Sequence, residues 1–271
     1  MTELLYRSPD SAAEVWIGDC LDPESVAAVM GERKADALIV DAPYSERTHG
    51  RNESTSDALA LAVAAGRATL TTGRIVFRPW APDDVSAFCG LWLPMCRGWS
   101  VSITDHVLAP AWESSFATDG RCGFAPLPFV ERGSRIRVCG DGPSCWTCWT
   151  VVARPRSRLM AHWGTLPGAY LLGRETKDVV GGKPLAGMLA IVGDYSRHGD
   201  LVVDPCCGAG TTGVAARTLG RRFIGIDSNR EHAEIAVRRI SEAREQVVMP
   251  GTEPEAHQTT MFPAVCGAKG E

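Results

Sequence analysis

LVVDPCCGAGTTG, residues 201–213, is the stretch whose reading decides the fold. A β-branched run ends on Asp204, and a turn follows with glycines at 208, 210 and 213. From about Thr211 to Leu219 the pattern becomes helical. A strand, a glycine turn and a helix in that order place backbone N–H groups against a ligand at a sheet's edge, as in nucleotide-binding α/β folds. The next apolar run, Phe223 to Asp227, predicts a second strand, and Glu231 to Glu242 a second helix. Asp227 stands about 20 residues beyond the first glycine, the spacing of an acid that meets a ribose hydroxyl in the dinucleotide fingerprint. A nicotinamide-dependent oxidoreductase is therefore one reading. Two features oppose it. Pro205, Cys206 and Cys207 separate the strand from the first glycine, and too few strands follow the turn for the usual six-stranded sheet unless the order is permuted.

Outward from the turn, the first hundred residues supply those strands. Glu14 to Asp19 reads as a strand. Asp22-Pro23-Glu24 then offers an N-cap, a proline at the first helical position and an early acid, which predicts a helix to about Arg33. Asp36 to Asp41 is a buried-strand pattern running straight into Ala42-Pro43-Tyr44. Ser45 to Ser56 reads as a polar loop, Asp57 to Leu70 as a helix, Arg74 to Trp80 as a strand. A helix capped by Asp83 or Asp84 follows, through Met95. This alternation predicts an α/β sheet with helices on both faces. Trp99 to Gly182 breaks the rhythm, with isolated strand-like pieces at Val101 to Thr104 and Trp146 to Ala153. Four segments are expected: 1–98, 99–182 with an irregular lobe, 183–245, and an aperiodic tail over 246–271.

The 271 residues carry a net charge of −4, with 45% hydrophobic and 22% charged residues. No apolar stretch approaches the ~20 residues of a membrane span, and the first ten residues do not resemble a signal peptide, so a cytoplasmic protein without membrane partners is expected. A nucleic-acid face would need local basic clusters. Arg132, Arg135, Arg137, Arg154, Arg156 and Arg158 form one, although arginines in such a segment are more often solvated surface, and Arg47, His49 and Arg51 another, equally readable as a charged loop. Ten cysteines are scattered. Cys122, Cys139, Cys145 and Cys148 contain a single C-x-x-C pair, whereas zinc sites often carry two, so buried thiols and no metal are expected.

The glycine turn has a partner in Asp41-Ala42-Pro43-Tyr44. Together these segments resemble the amino-directed DNA methyltransferases of permuted motif order, whose D-P-P-Y loop precedes a D-P-F-x-G-x-G-T-T loop. Gly18-Asp19-Cys20 resembles the family's cofactor-adenine segment, and Gly182-Lys183-Pro184-Leu185 its K-P motif. Gly220-Arg221-Arg222 leading to Ile224-Gly225-Ile226-Asp227 resembles G-R-x-x-I-G-x-E. The matches run in family order from Gly18 to Asp227. Three departures stand out: Ala42 replaces a proline, Cys206-Cys207 replaces Phe and its neighbour, and Asp227 stands where Glu is common.

The resemblance implies a Rossmann-like methyltransferase sheet, permuted, with a target-recognition lobe in the middle segment. It implies S-adenosylmethionine as cofactor and DNA as partner. The side chain of Asp41 and the carbonyl of Ala42 would accept the two hydrogens of an exocyclic amino group, freeing its lone pair. Pro43 would stiffen the loop and Tyr44 stack on a base flipped from the duplex. Asp19, Cys20, Lys183, Asp204, Cys206, Gly208, Gly210, Thr211, Thr212 and Asp227 would line the cofactor pocket. No metal is needed, since the sulfonium is already an electrophile. Aspartate at 41 favours adenine N6 over cytosine N4. A binding subunit without catalysis is the alternative if Ala42 marks decay. The recognition sequence, a restriction partner and a homodimer are not legible.

Overall fold

Apolar runs that alternate with helical patterns must pair edge to edge and bury both faces, and the computed structural model shows them doing so. It describes residues 2–48, 78–118, 120–131, 147–156, 163–173 and 182–245. The strands are β1 (Glu3–Arg7), β2 (Ala13–Ile17), β3 (Ala35–Val40), β4 (Cys96–Thr104) and β5 (Arg121–Gly123). They continue with β6 (Leu127–Glu131), β7 (Thr147–Pro155), β8 (Tyr170–Leu172), β9 (Leu201–Asp204) and β10 (Arg222–Asp227). All join one sheet in the order β1-β2-β10-β9-β3-β4-β7-β6-β8, with β5 also on β7. The centre, β2-β10-β9-β3-β4, is parallel. Beyond it β7 runs antiparallel to β4.

Strand alternation sorts the core into two layers. Leu38, Val40, Val203 and Ile224 point to one face, under α1 (Pro23–Met30), α2 (Pro82–Trp92) and α3 (Ala109–Phe116). Ala37, Ile39, Val202 and Phe223 point to the other, under α4 (Leu185–Tyr195), α5 (Thr211–Thr218) and α6 (Arg230–Glu242). Each fully buried side chain of this kind contributes roughly 1.5–3 kcal/mol. Because α2 and α5 cover opposite faces, the helices diverge at the β9/β3 boundary. That leaves a crevice at the strands' carboxyl ends, where open α/β sheets bind ligands.

Helix boundaries follow local chemistry. Asp22 accepts from the N–H groups of Glu24 and Ser25 to start α1, and Gly31, at φ +53°, ends it. At α2 the expected Asp83 or Asp84 cap is corrected: Ala81 is the cap residue, and Asp84 reaches back to accept its N–H at 2.9 Å. The middle segment is more regular than its sequence predicts. Its two strand-like pieces are neighbours, Ser102 paired with Val151, and α3 lies between them in sequence. The boundary drawn at 98/99 falls inside β4. The helix expected over 57–70, most of the strand over 74–80 and the tail over 246–271 lie outside the described residues. No helix among the described residues is long and apolar enough to cross a membrane.

Candidate active site at the carboxyl ends of four strands

Four neighbouring parallel strands each deliver an acid to the same edge. Asp19 follows β2, Asp227 ends β10, Asp204 ends β9 and Asp41 follows β3. Adjacent strands lie about 4.8 Å apart, so the glycine turn and the Asp41 loop are brought side by side although 163 residues separate Asp41 from Asp204.

Asp204 is buried, and both its oxygens serve its own turn: Thr212 Oγ1 donates at 2.6 Å and the Cys206 N–H at 3.1 Å. The backbone then passes Gly208 at φ +51° and Gly210 at φ +78°, which caps α5. A Cβ on Gly210 would lie 2.8 Å from that of Ala236, so only glycine fits there. A Cβ on Gly208 would meet nothing within 4 Å, so a ligand can lie against that backbone. Its N–H donates to Asp227 at 2.8 Å, and the Asn229 N–H holds the other Asp227 oxygen at 2.8 Å. The Thr211 hydroxyl accepts from Arg239 at 3.1 Å. Asp19 is exposed and accepts the Leu21 N–H at 2.8 Å. Cys20 and Cys206, from β2's end and the turn, bring their Sγ atoms to 3.5 Å.

Burial pushes the Asp204 carboxyl up to about 7, with Asp41 and Asp227 adding like charge. An unfolded aspartate titrates near ~4. Between those values the folded chain binds the extra proton, so this group's contribution to stability falls as pH rises through that window. Thermal melts should therefore show a downward slope of Tm from about pH 4 to pH 7 that Asp204→Asn flattens. An unaltered slope would remove Asp204 as its source.

At the end of β3 stands an ion pair that the sequence does not announce. Lys183 Nζ donates to both Asp41 oxygens, at 2.7 and 2.6 Å. The lysine side chain is 6% exposed and the aspartate 24%, so the carboxylate keeps an open side for a ligand. Burial works against the ammonium, but the facing Asp41 carboxylate outweighs it and holds the Lys183 pKa above its usual value. Lys183 also lies 4.9 Å from the centre of the Tyr44 ring. The Tyr44 hydroxyl donates to Asp41 at 3.3 Å and meets Cys148 Sγ of β7 at 3.1 Å. Burial, with Asp41 and Cys148 alongside, raises the phenol's pKa and keeps it protonated. Lys183, grouped by resemblance with the cofactor residues, thus contacts the Asp41 loop.

Of the basic residues, Arg47 is exposed three residues beyond Tyr44. Arg154 and Arg156 are not near the loop. Asp41 emerges past the Val40–Ser102 pair, whereas Arg154 lies beyond the Ser100–Ala153 pair, toward the opposite end of the sheet. There it pairs with Cys122 and sits 5.8 Å from the Phe124 ring centre. The antiparallel direction of β7 sets this placement. His49, Arg51, Arg132, Arg135, Arg137, Cys139, Cys145 and Arg158 lie outside the described residues. Among the described residues, no three metal-ligating side chains converge.

The geometry sets a class: an α/β ligand-binding fold with a glycine turn beside a carboxylate loop at the switch point. Comparison with known proteins sharpens it. Residues 172–238 match the model of the N6/N4 family described as DNA methylase. The Type II methyltransferase M2.DpnII of Streptococcus pneumoniae is 50% identical over 50 residues, 18% of this chain and 19% of that protein. M2.LlaDCHI of Lactococcus lactis subsp. cremoris is 50% identical over 46 residues, 17% of each. The chain thus aligns with less than a fifth of the length of these curated relatives. In fold it resembles M1.HpyAVI in complex with SAM, with a TM-score of 0.58 at 20% identity over 84% of this chain and 98% of that one. It also resembles the cytosine-N4-specific PvuII DNA methyltransferase, with a TM-score of 0.57 at 11% identity over 88% of each chain. Residues 172–238 are thus similar to the N6/N4 DNA methylase family, and the fold resembles that of these solved methyltransferases.

Proposed function

We propose that the chain is an S-adenosylmethionine-dependent DNA methyltransferase acting on an exocyclic amino group, adenine N6 in the first place. One observation carries this reading. The Asp41-Ala42-Pro43-Tyr44 loop and the glycine turn stand on adjacent strands, β3 and β9, at the crevice of the sheet. The residues present fit the cofactor: Gly208 offers bare backbone facing open space, and Asp227 and Asp19 lie at the next strand ends. Asp227, held by two backbone N–H groups, keeps lone pairs for ribose hydroxyls. When bound, S-adenosylmethionine supplies a methyl group on a sulfonium that needs no further activation.

The chain's own residues then handle the amino group. Asp41 would accept one N–H on its open side and the Ala42 carbonyl the other, drawing the nitrogen toward tetrahedral geometry and freeing its lone pair. Lys183 fixes the carboxylate's orientation. Tyr44, anchored at its hydroxyl, offers a ring for a flipped base. Arg47, with His49 and Arg51, is the basic group that would contact DNA. Aspartate at 41 favours adenine over cytosine, and the division into a catalytic half, a recognition lobe and a cofactor half belongs to the same reading.

The test is mass spectrometry of nucleosides from DNA incubated with the purified protein and methyl-labelled cofactor. Labelled N6-methyldeoxyadenosine is expected. Labelled N4-methyldeoxycytidine would keep the mechanism and change the base. A protein that binds the cofactor yet leaves DNA unlabelled would be a binding subunit. Stabilisation by NAD(H) with none by S-adenosylhomocysteine would favour an oxidoreductase.

A further inference from the structure

We propose that Asp105, just beyond β4, is a positioning residue for the reaction: it clamps the chain that follows Tyr44 and so fixes the Asp41 loop. The inference rests on the methyltransferase reading above. Asp105 lies 4% exposed at the same end of the sheet as Asp41. Its Oδ2 accepts from the Ser45 N–H at 3.0 Å, the Ser45 hydroxyl at 2.5 Å and the Thr48 hydroxyl at 2.5 Å. Its Oδ1 accepts from the N–H groups of Val107 and Leu108 at 3.1 and 3.0 Å, at the entry to α3. Burial alone would push this carboxyl up, but the donors from Ser45, Thr48 and Leu108 prevail and hold it below the usual carboxylate range.

One carboxylate therefore ties the start of α3 to the two residue positions, 45 and 48, that follow the loop. A second tie runs parallel to it. The Trp80 N–H donates to the Tyr44 carbonyl at 3.0 Å, and the Trp80 ring stacks on Trp112 of α3 with centroids 6.2 Å apart. Thus α3 grips the segment twice, through Asp105 and through Trp80. The loop needs such a grip. Ala42 lacks the fixed φ that proline would give, so the placement of its carbonyl must come from the flanks. An error of about 1 Å in a reacting geometry can cost on the order of a hundredfold in rate.

The experiment compares the full-length wild type with loop-side variants in the labelled-methyl assay. Ser45→Ala/Thr48→Val removes two donors to Oδ2 and leaves the α3 entry untouched. It is expected to lower kcat about tenfold or more when assayed well below both melting points, with S-adenosylhomocysteine affinity by calorimetry close to wild type and Tm lowered by the loss of two hydrogen bonds to a buried carboxylate. Thr48→Ser, which keeps the hydroxyl, should retain the wild-type rate. Asp105→Asn puts an amide donor against the donors on one side and should lose more. If that variant fails to fold, the loop-side pair still decides. An active wild type whose double variant, folded at the assay temperature, keeps its kcat, or loses it only as far as cofactor affinity falls, overturns the clamp alone. A wild type that transfers no methyl overturns the reaction reading and the clamp with it.

Discussion

Asp41→Asn is expected to slow methyl transfer by about a hundredfold to a thousandfold in a single turnover, with cofactor affinity nearly unchanged. The carboxylate is the one charged acceptor in the loop, and its open side is where an amino group would approach. Asparagine keeps the shape and one acceptor oxygen but loses the charge, and its amide nitrogen would confront the Lys183 ammonium. Asp41→Ala should be slower still, but it also strands a buried ammonium, so its Tm must be read beside its rate. Quenched-flow transfer to labelled DNA at saturating cofactor measures the step directly. A rate within a few-fold of wild type would take Asp41 out of the chemistry and leave the binding-subunit reading.

The second large effect belongs to Lys183. Lys183→Met should lower kcat by about tenfold to a hundredfold, because the carboxylate loses the two contacts at 2.6 and 2.7 Å that orient it. Among the described residues its other contact is the Tyr44 hydroxyl at 3.3 Å. Stability gives an independent readout. Each single substitution leaves its partner's charge uncompensated, and breaking such a pair costs on the order of 3–5 kcal/mol when fully buried, less here because Asp41 is partly exposed. Removing both charges together, in Asp41→Asn/Lys183→Met, should restore much of the lost Tm. Additive losses would show that the pair is not coupled. Because Asp41 holds the Lys183 pKa up, these differences should persist at neutral and mildly alkaline pH.

Much of this arrangement is legible in sequence, where local signals coincide with it. The runs ending at Asp41, Asp204 and Asp227 read as strands because each is apolar, compact and stopped by an acid. The glycine turn reads as a ligand loop because Gly210 adopts a backbone conformation that side chains resist. Contacts between distant segments were not legible. Nothing near Lys183 in sequence announces a partner at position 41, and Asp105 sits 60 residues from the Ser45 it holds. Nor did the basic cluster announce that the register of β7 would place Arg154 at the end of the sheet away from Asp41. Helix α4 has apolar side chains at Leu185, Met188, Leu189 and Val192 and could have been found by period. Within it, Gly187 is there because a Cβ would strike Leu172 and Phe129 at 2.6 and 2.8 Å.

The position of β3 has a consequence for how the chain matures. Its neighbours are β4, which follows soon in sequence, and β9, which does not: Leu38 pairs with Val203, and the Leu201 N–H donates to Asp36 across 165 positions. Synthesis at about 5–20 residues per second leaves roughly ten to thirty seconds between the emergence of Asp36 and of its partner. Through that interval β3, apolar at every position but Asp36, carries an open edge, the kind of edge that invites pairing with another chain. The Asp41 loop meanwhile has no glycine turn beside it. The two halves of the site are thus born apart in time, and a nascent chain stopped short of residue 200 would expose a sticky edge without having acquired a pocket.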